Sequence, residues 1–230
     1  MKRAFWFLCG LSLALLAFGF YEAIFVAPVE ATMGQIYRIF YWHVPTATSG
    51  ETFPYVNMLA ALGFLFFRRS KPELAMKLDA LAIAAAEVSV LYIGLTLATG
   101  MLWGRPVWGI WWAWDARLTS ALLLFLLYVS YLLVRRFSAN NQAPVVGAVI
   151  AIFAGIDNPI VFMSIRWWRT QHPAPVLTGD GSLDSSMVPP LMINMVAWFL
   201  WGCALVWARY AIVRREQAAD AKAAMEALEA

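Results

Sequence analysis

The sequence predicts an all-α membrane protein, a six-transmembrane-helix bundle with both termini cytoplasmic. A Trp-rich segment is expected at the membrane interface on the opposite, outward-facing side. Apolar residues make up 62% of the 230 residues and charged residues only 13%, which is far from the composition of a soluble domain. Six apolar stretches are each long enough, or nearly so, to cross the hydrocarbon core as a helix. The connections between them leave little room for a separate soluble domain.

The predicted spans cover residues 5–27, 46–67, 78–100, 118–134, 144–165 and 188–209. The first span follows Lys2 and Arg3 and resembles a signal peptide. It continues to Ala27 without a small-residue cleavage site, so we expect it to remain as a helix. Residues 1–215 therefore form one membrane domain, and residues 216–230 form an alanine- and glutamate-rich cytoplasmic tail with helical propensity.

The orientation follows from the basic residues of the short connections, because Lys and Arg accumulate on the cytoplasmic side. One side carries twelve of the seventeen basic residues: Lys2, Arg3, Arg68, Arg69, Lys71, Lys77, Arg135, Arg136, Arg209, Arg214, Arg215 and Lys222. We expect that side, with both termini, to be cytoplasmic. The connections at 28–46, 101–117 and 166–187 then face outward. The net charge of +3 records this orientation, and we expect no nucleic-acid partner.

The connection after the third span is unusually rich in tryptophan. Five of the twelve tryptophans lie between Trp103 and Trp114, in a stretch that also contains Gly104, Pro106 and Gly109. Such a segment is too polar and too broken to cross a bilayer, so we predict that it lies at the membrane surface. Scattered tryptophans are explained by the aromatic belt of membrane proteins, but this density is explained poorly by it.

Two further features of this connection concern its geometry. If the segment is helical, Trp108, Trp111 and Trp112 share one face, since they are spaced i, i+3 and i+4. Asp115 stands just before the fourth span, where an aspartate favours the helix N-cap. Capping and a role in a binding site could coexist at this residue.

The chain has only two histidines, His43 in YWHVP and His172 in WWRTQHP, and both fall in outward connections. A single histidine at a membrane edge is usually a polar residue at the water boundary. Two on the same side, each with tryptophan nearby and a proline close behind, point instead to a pair of ligands. Proline restricts the backbone around it, which would stiffen the presentation of each imidazole.

Imidazole is the usual protein ligand of haem iron, and two histidines could take both axial positions of one macrocycle. Zinc or copper is also possible, but a closed zinc site needs about four protein ligands, and the outer connections offer no cysteine and few carboxylates. Haem also accounts for the tryptophans, whose indole faces suit a flat apolar ring. The haem propionates would find cations in the outward connections, at Arg38, Arg105, Arg117, Arg166 or Arg169.

Polar residues within the predicted spans leave a second function open. Glu87, Asn57 and Asn194 either line a path through the bundle or form hydrogen bonds between helices. A path would favour a permease that moves haem or another substrate, although an all-outward ligand set argues against it. A respiratory haem subunit would be expected to hold histidines inside its spans. Cys9 and Cys203 lie in apolar runs and suggest structural thiols, and no classical catalytic constellation is recognisable.

The segment WGRPVWGIWWAWDARLT resembles the WWD signature of haem-handling membrane proteins. From Trp6 to Arg209 the chain is similar to the cytochrome c maturation protein C family, with HVP after the first helix and WWRTQHP after the fifth. The resemblance implies haem b, with His43 and His172 as axial ligands of the iron. It also implies that the haem edge is held by the signature segment: Trp103, Gly104, Trp108, Gly109, Trp111, Trp112, Trp114 and Asp115.

The resemblance further implies a place and a set of partners. The site would face the periplasm from the bacterial inner membrane and deliver haem to a periplasmic haem chaperone, cytochrome c maturation protein E. A small membrane protein, the D component, and the ATP-binding-cassette A and B components would act with it. Transfer requires one axial bond to be exchangeable, and we expect a vinyl edge of the haem to stay accessible. Whether bond formation is catalysed or only templated is left open.

Overall fold

The computed structural model describes residues 2–138, 142–173 and 183–229. These residues form six α-helices: α1 Lys2–Tyr21, α2 Phe40–Phe67, α3 Pro72–Trp108, α4 Ala116–Phe137, α5 Ala143–Trp167 and α6 Val188–Glu229. A π-helical turn follows α1 at Glu22–Val26, and short 3₁₀ helices precede α2 at Gln35–Ile39 and α6 at Ser185–Met187. The all-α class is confirmed.

Five helical stretches are long and apolar enough to cross a membrane: Lys2–Val26, Pro72–Trp108, Ala116–Phe137, Ala143–Trp167 and Ser185–Glu229. This makes the chain a multi-pass membrane protein. Helix α2 does not reach the same apolar level, because polar residues such as Thr46, Glu51 and Asn57 interrupt it. Its 28 residues are nevertheless about 42 Å long. The sixth span, the position of the termini and the outward face stay predictions.

Helix α2 lies in the middle of the bundle, in contact with α3, α5 and α6, whereas α1 packs on α6 and α4 packs on α5 and α3. Amides join these helices inside the bundle. The Asn57 side chain donates to the Ala82 carbonyl oxygen at 2.7 Å, and that of Asn194 donates to the Gly19 carbonyl oxygen at 2.9 Å. Both asparagines therefore hold neighbouring helices together.

Glu87 has a partner of the same kind. Its carboxylate pairs with Arg209, which joins α3 to α6. The polar residues that would favour a permease are thus bonded between helices, the second of the two arrangements that the sequence left open.

Two helices extend past their predicted spans and change the setting of the candidate site. Helix α3 continues to Trp108, so Gly104 and Pro106 do not break it as expected. Pro106 stands in the last turn, where its ring costs one backbone hydrogen bond and the helix is about to end. Gly109 ends the helix in the left-handed region at φ +76°, with its N–H donating to the Arg105 carbonyl oxygen at 3.1 Å.

Helix α2 begins at Phe40 rather than residue 46, because the 3₁₀ helix Gln35–Ile39 leads directly into it. His43 therefore lies in the first turns of a helix and not in a loop, which corrects the expectation from the sequence. The connection predicted at 166–187 is described only in part, and its residues 174–182, including Asp180, lie outside the described residues.

Candidate functional site

A cavity opens at the end of the bundle where α2 begins and α3 and α5 end. It holds about 1030 Å³ of empty volume, its open mouth included. Most of the lining is apolar. The polar side chains that line it within the described residues are His43, Glu51, Thr96, Arg117, Gln171 and His172. Both histidines of the chain thus reach one cavity, although 129 positions separate them in the sequence.

The two imidazole rings are neighbours, with centroids 6.3 Å apart and ring planes inclined by 34°. His43 Nδ1 lies 3.0 Å from Thr99 Oγ1. The Thr99 hydroxyl itself donates to the Leu95 carbonyl oxygen at 2.7 Å, so it accepts a hydrogen bond from the imidazole. His172 Nδ1 lies 2.9 Å from the Pro173 carbonyl oxygen and must also donate. In both rings Nε2 is then the nitrogen left to bind a metal.

The ring separation fits one metal ion between the histidines. A metal–nitrogen bond of about 2 Å and a further distance of roughly 1 Å from nitrogen to ring centre, counted twice, give about 6 Å. A closed zinc site needs more ligands than this. Within residues 2–138, 142–173 and 183–229, no group of three or more His, Cys, Asp or Glu side chains could hold a metal ion. The arrangement suits a metal whose other ligands arrive with it.

The protonation state of His172 agrees with a ligand role. Burial and the positive charge of Arg117 lower the pKa of His172 below its ordinary value, and these effects exceed the opposing influence of Pro173 and Asp115. The imidazole is therefore neutral at neutral pH, which is the form that binds a metal.

Three of the five clustered tryptophans line the cavity: Trp103, Trp108 and Trp112. The Trp103 ring makes an edge-to-face contact with His43, with centroids 5.7 Å apart and planes at 77°. Gly104 also lines the cavity, and a Cβ atom there would come within 2.9 Å of the Trp108 ring. These residues form one aromatic wall beside the histidine pair.

The other two tryptophans do not line the cavity. Trp111 is 57% exposed and Trp114 is 78% exposed. The shared face expected of Trp108, Trp111 and Trp112 required a helical segment, and that condition is not met, because the left-handed Gly109 ends the helix after Trp108. Trp114 touches the wall only through Trp112, with ring centroids 5.7 Å apart.

Asp115 caps the fourth helix, as predicted. Its Oδ1 accepts from the Leu118 N–H at 2.9 Å, and its Oδ2 accepts from the Gln171 N–H at 2.7 Å. The same carboxylate therefore fixes the start of α4 and the residue next to His172. Asp115 acts on the site through this tether.

Of the five arginines considered for an anionic ligand, Arg117 is the one among the described residues that lines the cavity. The other four do not line it. Arg105 donates to the Gly109 carbonyl oxygen, Arg38 donates to Gln35 and to the Ala23 carbonyl oxygen, Arg166 stands over the Phe162 ring, and Arg169 is exposed.

The sequence reasoning missed Glu51. Its Oε1 lies 3.0 Å from Arg117 Nη2 on the wall of the cavity, and both side chains are largely buried. The available signal was a carboxylate inside the predicted second span, the same signal that singled out Glu87. Thr99, which orients His43, was also missed, since a threonine in an apolar run carries no distinctive pattern.

The fold and the site define a class of protein: a helical multi-pass membrane protein with an apolar, tryptophan-walled cavity that brings two imidazoles together. The chain belongs to the heme exporter protein C family, whose family model matches residues 1–223. It is 38% identical over 196 residues to a heme exporter protein C of Bradyrhizobium diazoefficiens, covering 84% of this chain and 72% of the relative. With heme exporter protein C of Escherichia coli strain K12 it shares 32% identity over 215 residues, covering 91% of this chain and 82% of the relative.

A third relative is a ccmC-like mitochondrial protein of cytochrome c biosynthesis from Marchantia polymorpha. It is 33% identical over 210 residues, which cover 86% of this chain and 87% of the relative. The resemblance seen in the sequence is thereby confirmed at the level of the family. Family membership implies that this protein takes part in haem handling for cytochrome c maturation.

Proposed function

We propose that this protein binds haem b in the cavity, with His43 and His172 as axial ligands, and delivers it to a periplasmic haem chaperone. One observation carries the proposal. Two imidazoles, each anchored through Nδ1, lie 6.3 Å apart in an apolar cavity. This is the separation of ring centres that two imidazoles bound to one iron require, and haem supplies the remaining ligands itself.

The rest of the cavity supports a flat, apolar cargo. Trp103, Trp108 and Trp112 offer aromatic surface beside the histidine pair, and such rings pack favourably against a macrocycle. Gly104 leaves room for the Trp108 ring, since a Cβ atom at Gly104 would displace it. In this proposal Trp111 and Trp114 lie at the rim, where their exposed rings are available to a partner.

Haem with two protein ligands must lose one of them to be handed on. His43 is buried in α2, against Trp103 and Thr99. His172 lies in the connection after α5, where the tether from Asp115 to Gln171 holds its neighbour. His172 is therefore the ligand that releases, because a connection can move while the bundle stays intact.

Delivery on the outer face follows from the orientation proposed for the bundle, with both termini in the cytoplasm. The cavity then opens at the periplasmic face of the inner membrane, and the haem chaperone, cytochrome c maturation protein E, receives the haem there. The D component and the ATP-binding-cassette A and B components complete the assembly. The family name of the relatives supports a haem-export system, and the individual partners are part of this proposal.

The test is an absorption spectrum of the detergent-purified protein with haem, for the wild type, His43→Gly and His172→Gly. We expect a paired-imidazole spectrum in the wild type and loss of one axial ligand in each variant. Added free imidazole should restore the spectrum of a folded variant, which separates ligand loss from misfolding. Haem bound identically in all three proteins would mean that the histidines are not the ligands.

A further inference from the structure

An ion pair joins two residues that line the cavity, Glu51 of α2 and Arg117 of α4. Glu51 Oε1 and Arg117 Nη2 are 3.0 Å apart, with 21% and 15% of the respective side chains exposed. Arg117 also donates to the Val161 carbonyl oxygen of α5. Asn158 of α5 donates to the Glu51 carbonyl oxygen at 2.7 Å, so both residues are held at the junction of three helices.

The pair lies further along α2 than His43 does. Glu51 is eight residues after His43 on the same helix, which places it about 12 Å further along α2. Val161 is likewise six residues before Trp167, the end of α5. Arg117 belongs to the first turn of α4 and reaches Glu51 and Val161 from there.

The charges of the residues that line the cavity indicate what kind of ligand group this pair could bind. Among the described residues that line the cavity, Arg117 is the one basic side chain apart from the two histidines, and Glu51 is the one acidic side chain. An arginine fork matches a carboxylate, and such charge-assisted pairs are strong where water is scarce. The cation that would bind a carboxylate of the cargo is thus already bound to a carboxylate of the protein.

We propose that Glu51 is a built-in competitor, which occupies on Arg117 the place of a carboxylate of the ligand and gives way when a haem propionate enters. This inference rests on the proposed function and identifies Arg117 as the subsite for a haem propionate. The exchange breaks one ion pair and forms another, and it leaves the Glu51 carboxylate to turn toward water or take up a proton. Binding is weakened by that displacement, which suits a protein that must release its cargo.

The inference also orients the ligand. Propionates and vinyl groups lie on opposite sides of the haem macrocycle. A propionate at Arg117 therefore turns the opposite, vinyl edge of the macrocycle away from this ion pair.

The experiment compares two probes, haem and its dimethyl ester, which lacks both carboxylates, in wild-type protein and in Glu51→Gln. We expect the substitution to tighten haem binding by roughly tenfold, the scale of one charge-assisted contact in a partly desolvated site. Binding of the ester should not change. The matched control is Glu87→Gln, which breaks a comparable α3–α6 ion pair away from the cavity and should leave both affinities alone.

Two outcomes would overturn the inference. Glu51→Gln could change haem and ester binding by the same factor, which would make Glu51 a structural or steric element. It could also weaken haem binding, which would make Glu51 a supporting residue. Should Glu51→Gln fail to fold, Glu51→Asp shortens the reach to Arg117 and must pass the same comparison.

A failure of the proposed function itself would give a different result. The histidine variants would then bind haem as the wild type does, whatever the effect of Glu51→Gln. Retained histidine dependence with equal effects on haem and ester would reject the role of Glu51 alone.

Discussion

Hydrogen bonds at Nδ1 decide what each histidine of the cavity can do. Thr99 and the Pro173 carbonyl oxygen accept from His43 and His172, which fixes one tautomer in each ring and leaves Nε2 for a metal. The pair itself was visible in the sequence, since the chain has two histidines in similar surroundings. Their separation was not, because it depends on how α2 and the connection after α5 meet.

The lowered pKa of His172 predicts how stability changes with pH. The unfolded chain takes up a proton on this imidazole near pH 6.5, and the folded chain does so only at lower pH. The folded state binds fewer protons in that interval, so the free energy of unfolding falls as the pH drops below about 6.5. Thermal unfolding of ligand-free protein between pH 7 and pH 5 should show a shallower decline for His172→Ala. Equal slopes in the two proteins, which both keep His43, would contradict this.

Gly100 offers a test of how closely His43 must be placed. A Cβ atom at Gly100 would lie 3.1 Å from His43 Cε1, so Gly100→Ala must push the imidazole by a few tenths of an ångström. We expect weaker haem binding and an altered ligand-field spectrum, with little loss of stability. Gly94→Ala in the same helix is the control, since its Cβ atom would crowd Phe125, at 3.3 Å, instead of a histidine. Indistinguishable spectra for both variants would show that the ring has room to spare.

Glu51 shows the limit of sequence reasoning at this scale. A carboxylate inside an apolar run signals a buried partner, but its partner Arg117 is 66 positions further along the chain. The local sequence around either residue does not indicate its partner. Pairings of this kind come from tertiary packing alone, whereas the cap at Asp115 is local and could be predicted.

At the scale of the element, the break between α3 and α4 organises the aromatic wall. The sequence indicated breaks at Gly104, Pro106 and Gly109, and only the last of these ends α3, after Trp108. Local propensity is a weak guide to the end of a long helix whose sides are packed against neighbours. Gly109 ends it through its positive φ, and this distributes the five tryptophans between the cavity and the surface.

Gly109→Ala should therefore disturb this element. A left-handed conformation costs a residue with a Cβ atom about 1 kcal/mol relative to glycine. We expect a corresponding loss in the free energy of unfolding and weaker haem binding, since Trp112 follows the turn. Gly10→Ala is the control, because that glycine has open space around it. Unchanged haem binding in a destabilised Gly109→Ala would separate the turn from the site.

Asp115 joins two elements with one carboxylate, and the two bonds can be separated by substitution. Asp115→Asn keeps an oxygen for the Leu118 N–H but replaces the acceptor of the Gln171 N–H with a donor. We expect Asp115→Asn to weaken haem binding several-fold with nearly unchanged thermal stability. Asp115→Ala should also lose about 1 kcal/mol of stability with the cap. Equal haem affinity in Asp115→Asn and the wild type would show that the tether does not position His172.

For the molecule as a whole, the sequence predicted the all-α class and the family correctly, because apolar length and the tryptophan signature are local features. The membrane crossing of α2 is different. This helix lies between α3, α5 and α6, and its polar residues face partners inside the bundle, as Asn57 and Glu51 do. A central helix can therefore be less apolar than the peripheral α1 and α4, which present most of their surface outward.

If α2 crosses the membrane, the connections before and after it lie on opposite sides. Thr32 precedes α2 and Ser70 follows it, and both are exposed. In protein with Cys9 and Cys203 replaced by alanine, Thr32→Cys should react with a membrane-impermeant maleimide in intact spheroplasts. Ser70→Cys should react only after lysis, because six spans put it in the cytoplasm with the basic cluster beside it. Ser186→Cys should react as Thr32→Cys does, because six spans place both connections on the same side. Labelling of Thr32→Cys and Ser70→Cys from the same side would leave five crossings and place the two termini on opposite sides of the membrane.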